Sequence, residues 1–507
     1  MYYSESQRHR VKKGTTEAQR HKEVRFTCLP LPPQSASSAS PIIIMTMSIH
    51  GEASMKPYGI ALIGCGTVGS GVAKLLLEQS DFGKGTSSRS TKLIHGGVRY
   101  LQQGNLPLVM EALHERQRLL RNAPHLVHLL PFIVPAYRWW ELPFYGAGLK
   151  LYSLLALERS HILSRRVTLD RLQGIRDRGL RGGILYFDGQ FDDARLLIHL
   201  VLTAVEHGAI LLNYAQVTEA SKSGVRFCDV ETGEEHTAEA RLVINAAGPF
   251  CDAVRRLADP AAAPILTPSQ GVHIVLDRDF LPGEAALLVP RTPDGRVLFA
   301  IPWLGHTLIG TTDTPVAAAP LEPTAFEPEI AFLLEVSAQY LTKQPTRADI
   351  RSVFAGLRPL VGEYGEKPAS VSRDHTIRLE PSGLLTIAGG KWTTYRRMAE
   401  DCVNRAASIA GLPERPCVTR DLPIHHWTDE LPPLLRAVRD EMARTVEDLL
   451  ARRTRALFVD VRAAVAQAPE AARVLARELG RDSAWEAAQI AAFEELAAGY
   501  LPTALAV

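Results

Sequence analysis

The chain contains 507 residues, enough for two or three domains with a large hydrophobic core. Its 46% hydrophobic and 22% charged residues are ordinary for a globular protein, and a net charge of +2 argues against a dedicated nucleic-acid-binding protein. The six cysteines include no C-x-x-C pair, which argues against a zinc site or disulfide framework and favours a reducing, intracellular compartment.

Residues 1–54 differ in composition from the rest of the chain. They are rich in Lys, Arg, His and Ser, include the stretch PLPPQSASSAS and show no sustained hydrophobic period. We expect a disordered extension here, with Met45, Met47 or Met55 as the natural start of the protein.

A short apolar strand and a glycine loop follow this extension. Gly59–Ile63 has the character of a buried parallel strand, and the loop Gly64-Cys65-Gly66-Thr67-Val68-Gly69 comes directly after it. Glycines at 64, 66 and 69 permit a tight turn against a pyrophosphate, which the N-terminus of a predicted helix over Ser70–Gln79 would face. The pattern predicts dinucleotide binding by Gly64, Gly66 and Gly69.

The second strand of this unit is missing from the sequence pattern. Dinucleotide-binding folds place an acidic residue about 20 residues further on, at the end of their second strand, where it holds a ribose. The predicted helix instead runs into Ser80, and Asp81 lies too early, without a strand before it. About ten residues are absent relative to a complete βαβ unit.

Further along the chain, apolar runs alternate with helical periodicity. We predict helices over Leu106–Arg121, Ala204–Leu212 and Trp392–Ala410, and strands over Gln216–Ala220, Leu242–Asn245, Val297–Ile301, His306–Gly310 and Leu384–Ile387. This alternation indicates an α/β fold with an inserted strand-rich region. Residues 412–507 are rich in Ala, Leu, Arg and Glu with helical spacing, which indicates an all-helical C-terminal domain.

Thr86–Leu101 (TSSRSTKLIHGGVRYL) combines groups suited to an anion or a cofactor. Its hydroxyl groups can donate to phosphates or to a ring, and Gly96-Gly97 lets the backbone approach a ligand closely. Arg99 offers a planar, permanently charged fork. His95 is a candidate proton acceptor because imidazole titrates near neutral pH, and the alternative is that it orients a cofactor or fills a polar site.

From Asp81 onward, about four-fifths of the chain resembles the FAD-dependent glycerol-3-phosphate dehydrogenases. The matching segments, in order, are DFGKGTSSRSTKLIHGGVRYL (81–101), YFDGQFDDARL (186–196), LVINAAGPF (242–250), IPWLGHTLIGTTDTP (301–315), FAGLRPLV (354–361), SVSRDHTIRL (370–379) and GGKWTTYRRMAED (389–401). The stretch EMARTVEDLLARRTRALF (441–458) also resembles the helical domain of that family.

The resemblance implies a fold, an activity and partners. An FAD-binding Rossmann-like domain would be interleaved with a strand-rich substrate domain over residues 55–411, the substrate part lying near 250–350. The implied reaction oxidises sn-glycerol 3-phosphate to dihydroxyacetone phosphate, with hydride passing to N5 of FAD and electrons to a membrane quinone. We also expect a homodimer in the cytoplasm, peripheral on the inner face of the cell membrane, with no metal and no nucleic acid.

The resemblance also implies roles for individual residues. His95, Arg99 and Lys391 would be catalytic, and the substrate would contact Arg99, Tyr100, Arg358, Arg373 and Lys391. Arg358 and Arg373 are placed on the phosphate because a guanidinium fork suits a dianion, and Lys391 beside the reduced flavin, whose charge a cation stabilises. The implied cofactor contacts are Ser87, Ser88, Ser90, Lys92, Leu93, His95, Val217, Ala246, Ala247, Gly248, Gly390, Lys391 and Thr393.

Residues 55–79 instead resemble the N-terminus of a homoserine dehydrogenase, an NAD(P)-dependent enzyme. One alternative is therefore a truncated or chimeric flavoprotein with weak or no FAD binding, because a sheet that loses a strand leaves backbone donors unpaired. The other alternative is an NAD(P)-dependent dehydrogenase, which rests on residues 55–79 alone.

An aromatic cluster at residues 139–145 bears on membrane contact. No apolar run reaches the roughly 18 residues that span a bilayer, so a transmembrane helix is not expected. Trp139, Trp140, Leu142, Phe144 and Tyr145 either pack as an aromatic loop, which we favour, or contact a membrane surface.

Overall fold

The computed structural model describes residues 24–25, 48–49, 60–64, 75–98, 101, 104–292, 295–362, 375–428 and 430–502. The chain forms two compact units, Met1–Lys56 and Pro57–Val507. In the first unit, the described strands Val24–Arg25 and Ser48–Ile49 pair antiparallel. The remainder of the predicted disordered extension lies outside the described residues.

A sheet of six short strands carries the predicted dinucleotide-binding elements of the second unit. Its strands follow the order His375–Leu379, Leu385–Gly389, Val243–Asn245, Ala61–Ile63, Leu75–Leu77 and Ile210–Leu212. The first pair is antiparallel and every other pair is parallel. The central strands are buried, which is why the sequence shows them as continuous apolar runs.

The second strand, expected to be missing, is present. Leu75–Leu77 lies between Ala61–Ile63 and Ile210–Leu212 and pairs in parallel with both. The helix predicted over Ser70–Gln79 is therefore wrong at its C-terminal end. A run of three leucines is compatible with a helix and with a buried strand, and here pairing with the two neighbouring strands makes it a strand. Residues 64–74 connect the two strands. This connection is near the lower limit of length for a crossover between parallel strands, so the residues expected to be missing are missing from the connection and not from the strand.

A larger, mostly antiparallel sheet forms the strand-rich region. Its path runs through Leu93–Ile94, Gly182–Phe191, Val127–Ala136, Ala286–Val289, Leu298–Trp303, His306–Gly310, Leu266–Asp277 and Thr314–Pro315. Ile350–Val361 pairs with Leu266–Asp277, and His161–Ser164 pairs with Gly182–Phe191. The sheet thus contains strands on both sides of the predicted substrate part at 250–350. A separate three-stranded antiparallel sheet comprises Ala215–Ala220, Gly224–Asp229 and Glu235–Glu239.

The described α-helices are α1 Leu106–Asn122, α2 Glu141–Leu155, α3 Arg165–Arg171, α4 Asp193–Glu206, α5 Cys251–Ala258, α6 Glu327–Tyr340, α7 Tyr395–Ile409, α8 Pro433–Arg439, α9 Ala456–Val459, α10 Val461–Leu479 and α11 Ser483–Ala498. The prediction of a helix over Ala204–Leu212 is wrong beyond Glu206. A turn at His207-Gly208 ends α4, and Ile210–Leu212 is a strand. None of these described helices is long and apolar enough to cross a bilayer.

The aromatic cluster at 139–145 is not the packed loop that we favoured. It leads into α2 and forms its first turns, and Trp139 and Phe144 are 75% and 60% exposed. Leu142 and Tyr145 lie on the inner side, packed against the hydrophobic core. The helix therefore presents an apolar outer face.

The C-terminal helical region is bound to the segment just before the Thr86–Leu101 stretch through buried ion pairs. Asp81 accepts hydrogen bonds from Arg452 and Arg453, and Arg453 contributes both nitrogens, each at 2.8 Å. These two cations lower the pKa of Asp81 to about 2 although burial alone would raise it. Asp81 is thus committed to domain packing and is not available to a ribose.

Candidate active site

Two cavities join into one elongated cleft in the second unit. The larger measures about 600 Å³ and the smaller about 360 Å³. They share the wall residues Thr86, Pro359, Gly389, Gly390, Lys391 and Trp392. The smaller cavity lies at the carboxyl ends of the parallel strands, where open α/β sheets bind their ligands.

Gly64 and Ala246–Gly248 form the strand-end wall of the smaller cavity. Gly64 follows the strand Ala61–Ile63 with a φ of +95°, and a Cβ there would lie 2.7 Å from Cα of Ala247. The amide of Ala246 donates to the carbonyl of Ile63 at 2.9 Å, so the two strand ends are fixed against each other. This backbone arrangement admits only glycine at position 64.

Glu78 supplies the acidic residue that the sequence pattern lacked. It follows Leu75–Leu77 directly, its amide donates to the carbonyl of Leu212 at 2.9 Å, and it lines the smaller cavity. A carboxylate at the end of the second strand is the group that holds a ribose in dinucleotide-binding folds. The run LLLE contains a short apolar strand followed by an acidic residue. Because the run was predicted to be helical, Glu78 was not identified as this residue.

Other residues predicted to contact the cofactor lie around the same cavity. Ser87 and Val217 line the smaller cavity with Ala246, Ala247 and Gly248, while Ser90, Leu93 and Thr393 line the larger one. Gly390 and Lys391 belong to the wall common to both. Gly66 and Gly69 lie outside the described residues.

Ser88 and Lys92, which the resemblance implied as cofactor contacts, line neither cavity. Ser88 Oγ donates to the carbonyl of Gly83 at 2.8 Å. Lys92 Nζ, fully buried, donates to the carbonyl of Ser88 at 2.6 Å and to both carboxylate oxygens of Asp193 at 2.8 and 2.9 Å. These side chains hold the Thr86–Leu101 stretch in place against α4.

Arg358 lines the larger cavity, where hydrogen bonds hold its side chain. Its Nη1 donates to Asp313 at 3.1 Å and its Nη2 to Thr311 Oγ1 at 3.2 Å. Asp313 in turn accepts a hydrogen bond from Ser269. Arg358 lies on the strand Ile350–Val361. Ser269, Thr311 and Asp313 lie on neighbouring strands or at their ends, so residues of the sheet hold the guanidinium.

His95 and Lys391 are two further predicted site residues at the larger cavity. Both line it, and Thr393 Oγ1 donates to the carbonyl of His95 at 3.2 Å. The structure thus brings together His95, Lys391 and Arg358 from three distant segments. Arg99, Tyr100 and Arg373, predicted for the same site, lie outside the described residues.

His273 is a residue of the cavity wall that the sequence interpretation missed. It is buried, stacks on Phe354 with ring centroids 5.0 Å apart, and its Nε2 lies 2.9 Å from Thr91 Oγ1. Burial, and then the charges of Lys92 and Arg358, hold its pKa well below the usual value for histidine. His273 is therefore neutral near pH 7. It occupies the middle of an apolar strand, where no sequence spacing distinguishes it.

Apolar residues also line the larger cavity, namely Val98, Leu108, Phe132, Leu288, Pro290, Val297 and Phe299. Arg296 and Asn105 belong to the same lining, so the cavity combines charged and apolar side chains. Among the described residues, no cluster of three or more His, Cys, Asp or Glu side chains is arranged to hold a metal ion.

An FAD molecule fits the residues that line this cleft. The glycine-only approach at Gly64 leaves backbone beside a pyrophosphate, and Glu78 stands where a ribose is held. The wall Gly389–Lys391 continues from the smaller into the larger cavity, so an extended dinucleotide would place its ring beside His95. The donor set thus agrees with the cofactor that the sequence resemblance implies.

Comparison with known proteins identifies two family regions. Residues 60–396 match the FAD dependent oxidoreductase family, and residues 433–486 match the C-terminal domain of alpha-glycerophosphate oxidase. The first match includes the segment after residue 60, for which we expected a homoserine dehydrogenase origin. The comparisons give that expected origin no support.

Similar proteins carry the name glycerol-3-phosphate dehydrogenase. The mitochondrial enzyme of Arabidopsis thaliana is 42% identical over 423 residues, which cover 77% of this chain and 66% of the relative. The human mitochondrial enzyme is 43% identical over 418 residues, covering 76% and 57%. The probable mitochondrial enzyme of Caenorhabditis elegans is 38% identical over 521 residues, covering 85% and 72%. The chain therefore spans somewhat less than two thirds of the first two relatives.

A solved structure agrees with this relationship. Glycerol-3-phosphate dehydrogenase from Bacillus halodurans, complexed with FAD, is 28% identical and superposes with a TM-score of 0.73 over 89% of this chain and 97% of that one. L-alpha-glycerophosphate oxidase from Mycoplasma pneumoniae, at 16% identity and a TM-score of 0.56, shares the fold. The chain belongs to the FAD-dependent oxidoreductases and, among them, to the glycerol-3-phosphate dehydrogenase family, whose cofactor is FAD.

Proposed function

We propose that this chain oxidises sn-glycerol 3-phosphate to dihydroxyacetone phosphate and passes the electrons to a membrane quinone. The observation that carries the proposal is the meeting of Arg358, His95 and Lys391 in one cavity that continues from the cofactor cleft. Cation, proton acceptor and cofactor are what oxidation of a phosphorylated secondary alcohol requires. When bound, FAD supplies the hydride acceptor.

Arg358 binds the phosphate of the substrate. A guanidinium offers several N–H donors in one plane, and the bonds to Asp313 and Thr311 leave it oriented before the substrate arrives. Arg99, Tyr100 and Arg373 complete the substrate contacts in this proposal, on the strength of the family resemblance.

His95 accepts the proton of the substrate hydroxyl, because it lies in the cavity wall next to the segment that both cavities share. His273 is the alternative, since a neutral imidazole can accept a proton and its Nδ1 makes no hydrogen bond among the described residues. Lys391 places a cation at the common wall, where it stabilises the negative charge that reduction builds up.

Two apolar features support a quinone in a membrane as the electron acceptor. The first is the set of apolar residues in the lining of the larger cavity, which suits a ring without charge. The second is the outer face of α2 and the residues after it, where Leu154, Leu157 and Ile162 are 69%, 85% and 66% exposed. A contiguous exposed apolar surface of this kind marks a contact site.

A lipid bilayer is the partner that fits the α2 face best. Exposed basic side chains flank the apolar ones, namely Lys150, Arg159, Arg165 and Arg166. Apolar side chains enter the headgroup boundary while basic ones meet anionic lipids, which is how interfacial helices bind. The location that we propose is therefore the surface of a membrane.

The test is the visible absorption of the purified protein before and after glycerol 3-phosphate is added without oxygen. We expect a flavin band that the substrate bleaches and turnover with a dye acceptor. A colourless protein that stays inactive with added FAD would instead support the alternative of a defective flavoprotein, motivated by the short connection 64–74. Reduction of NAD(P)+ in place of the dye would support the other alternative.

A further inference from the structure

The hydroxyl of Tyr152 connects helix α2 to the turn that carries His95. Tyr152 is fully buried on the inner side of α2, and its Oη accepts a hydrogen bond from the amide of Gly96 at 2.9 Å. The same Oη donates to Oδ2 of Asp188 at 3.0 Å. One hydroxyl thus joins a helix, a strand of the large sheet and the turn His95–Gly97.

The direction of these bonds is fixed by protonation. Burial, and then the charge of Asp188, raise the pKa of Tyr152 well above its usual value, so the phenol keeps its proton. Burial raises the pKa of Asp188, and the ion pair with Arg116, which donates to Oδ1 at 2.7 Å, opposes that rise and favours the carboxylate as an acceptor. The phenol therefore donates its hydrogen bond to Asp188, and the lone pairs of the phenol oxygen face the amide of Gly96.

Asp188 and Arg116 are themselves held in place. Arg116 on α1 is fully buried and bridges Asp188 to Glu158, each at 2.7 Å. Asp188 also accepts from the amide of Gly96 at 3.2 Å. These buried bonds favour one geometry, because a displacement that breaks them leaves a further donor or acceptor unpaired in the interior.

The turn packs closely against Tyr152. A Cβ on Gly96 would clash with Oη of Tyr152 and with Cδ2 of Leu113, so only glycine lets the backbone lie this close to the two side chains. On the other side of the turn, Thr393 binds the carbonyl of His95. His95 and Gly97 both line the larger cavity, whereas Tyr152 does not.

We propose that Tyr152 is a positioning residue for the reaction: its hydroxyl, oriented by Asp188, sets the place of the His95 turn relative to substrate and cofactor. The inference rests on the proposed function, because His95 is the proton acceptor there. A displacement of the turn would change the rate of the chemical step more than substrate binding, since the phosphate is held by Arg358 on a different strand.

The test compares Tyr152→Phe with Tyr145→Phe as holoenzymes. Tyr145 lies on the same helix, half-buried, so it controls for the loss of a phenol from α2. We expect Tyr152→Phe to keep its flavin and to lower kcat about tenfold with a KM for glycerol 3-phosphate within about twofold of wild type. Tyr145→Phe should match wild type in both. A Tyr152→Phe enzyme with wild-type kcat, or one whose activity falls only in proportion to lost flavin, would overturn the inference.

Hydrogen–deuterium exchange of a peptide covering residues 93–98 provides a readout that needs no activity. We expect faster exchange in Tyr152→Phe than in Tyr145→Phe, because the amide of Gly96 loses its shorter acceptor. Asp188→Asn is the second variant for this measurement, in case Tyr152→Phe does not fold, and it should show the same change. Unchanged exchange in these variants counts against the positioning role. If wild-type flavin is not reduced by glycerol 3-phosphate, the proposed function fails while the exchange result still decides on the turn.

Discussion

Oδ1 of Asp313 lies 3.1 Å from Nη1 of Arg358, so the cation that we assign to the substrate phosphate is already paired within the cavity wall. Thr311 occupies a second nitrogen at 3.2 Å. Asp313 offsets part of the positive potential around Arg358, but the pairing restricts the rotation of the guanidinium before binding. A phosphate then meets a guanidinium whose plane is already set.

Substitution of Arg358 tests this assignment directly. We expect Arg358→Ala to raise the KM for glycerol 3-phosphate about 10- to 100-fold, which corresponds to the roughly 1.5–3 kcal/mol of hydrogen bonds to a charged group. Flavin content should stay that of wild type. Arg351→Ala is the matched control, because Arg351 lies on the same strand but pairs with the half-exposed Asp277. An unchanged KM in Arg358→Ala would show that the phosphate binds elsewhere.

The fold could be predicted from the sequence where a strand is an apolar run with a clear end. Ala61–Ile63, Val243–Asn245 and Leu385–Gly389 are apolar runs followed by small residues, and all three appear as buried parallel strands. Leu75–Leu77 has the same apolar character but follows a glycine loop at a distance that fits a helix. Only its pairing with two neighbouring strands, which depends on the tertiary structure, identifies it as a strand.

The site was predictable only in part, for a related reason. His95, Arg358 and Lys391 stand in motifs, and the resemblance pointed to them although nothing in their spacing shows that they meet. His273 and Tyr152 stand in a strand and a helix whose patterns indicate ordinary core positions. Their importance comes from what they contact across the fold, and a one-dimensional pattern carries no information about such contacts.

Acid should loosen the attachment of the C-terminal region through His199. Burial, and then the charge of Arg195, lower the pKa of His199 to about 3. Its Nδ1 binds the carbonyl of His425 at 2.6 Å and its Nε2 lies 3.0 Å from Arg195, which also pairs with Glu441. A second proton would oppose Arg195, so the folded state stays neutral while the unfolded state takes up a proton below about pH 6.5.

The free energy of unfolding is therefore expected to fall as the pH decreases from about 6.5 towards 3, by an amount on the order of a few kcal/mol. Urea unfolding at pH 7 and pH 5 measures it. His199→Gln should be less stable at pH 7 but should lose less between the two pH values than wild type. An equal loss in both proteins would assign the acid sensitivity to other groups.

The apolar outer face of α2 should be needed for the membrane and not for the chemistry. We expect a Leu154→Glu, Leu157→Glu double variant to lose sedimentation with vesicles that contain anionic lipid, because a charge at the headgroup boundary opposes insertion. Turnover with a water-soluble dye should remain, while reduction of a quinone in vesicles should drop. Val418→Glu replaces another exposed apolar residue and serves as the control. Retained vesicle binding in the double variant would place the membrane contact elsewhere.

Substitution of Glu78 tests whether the cofactor site works despite the short connection 64–74. A carboxylate can accept hydrogen bonds from both hydroxyls of a ribose, whereas an amide has one acceptor, so Glu78→Gln should weaken FAD binding about tenfold, or roughly 1.4 kcal/mol. The strand Leu75–Leu77 should persist in this variant, because the hydrogen bond from residue 78 to the carbonyl of Leu212 uses the backbone amide and not the side chain. Titration of the apoprotein with FAD, followed by flavin fluorescence, measures the change against Glu235→Gln, an exposed glutamate of the three-stranded sheet. Equal affinities in the two variants would mean that the ribose is held by other groups and that the strand end has lost its usual role in this chain.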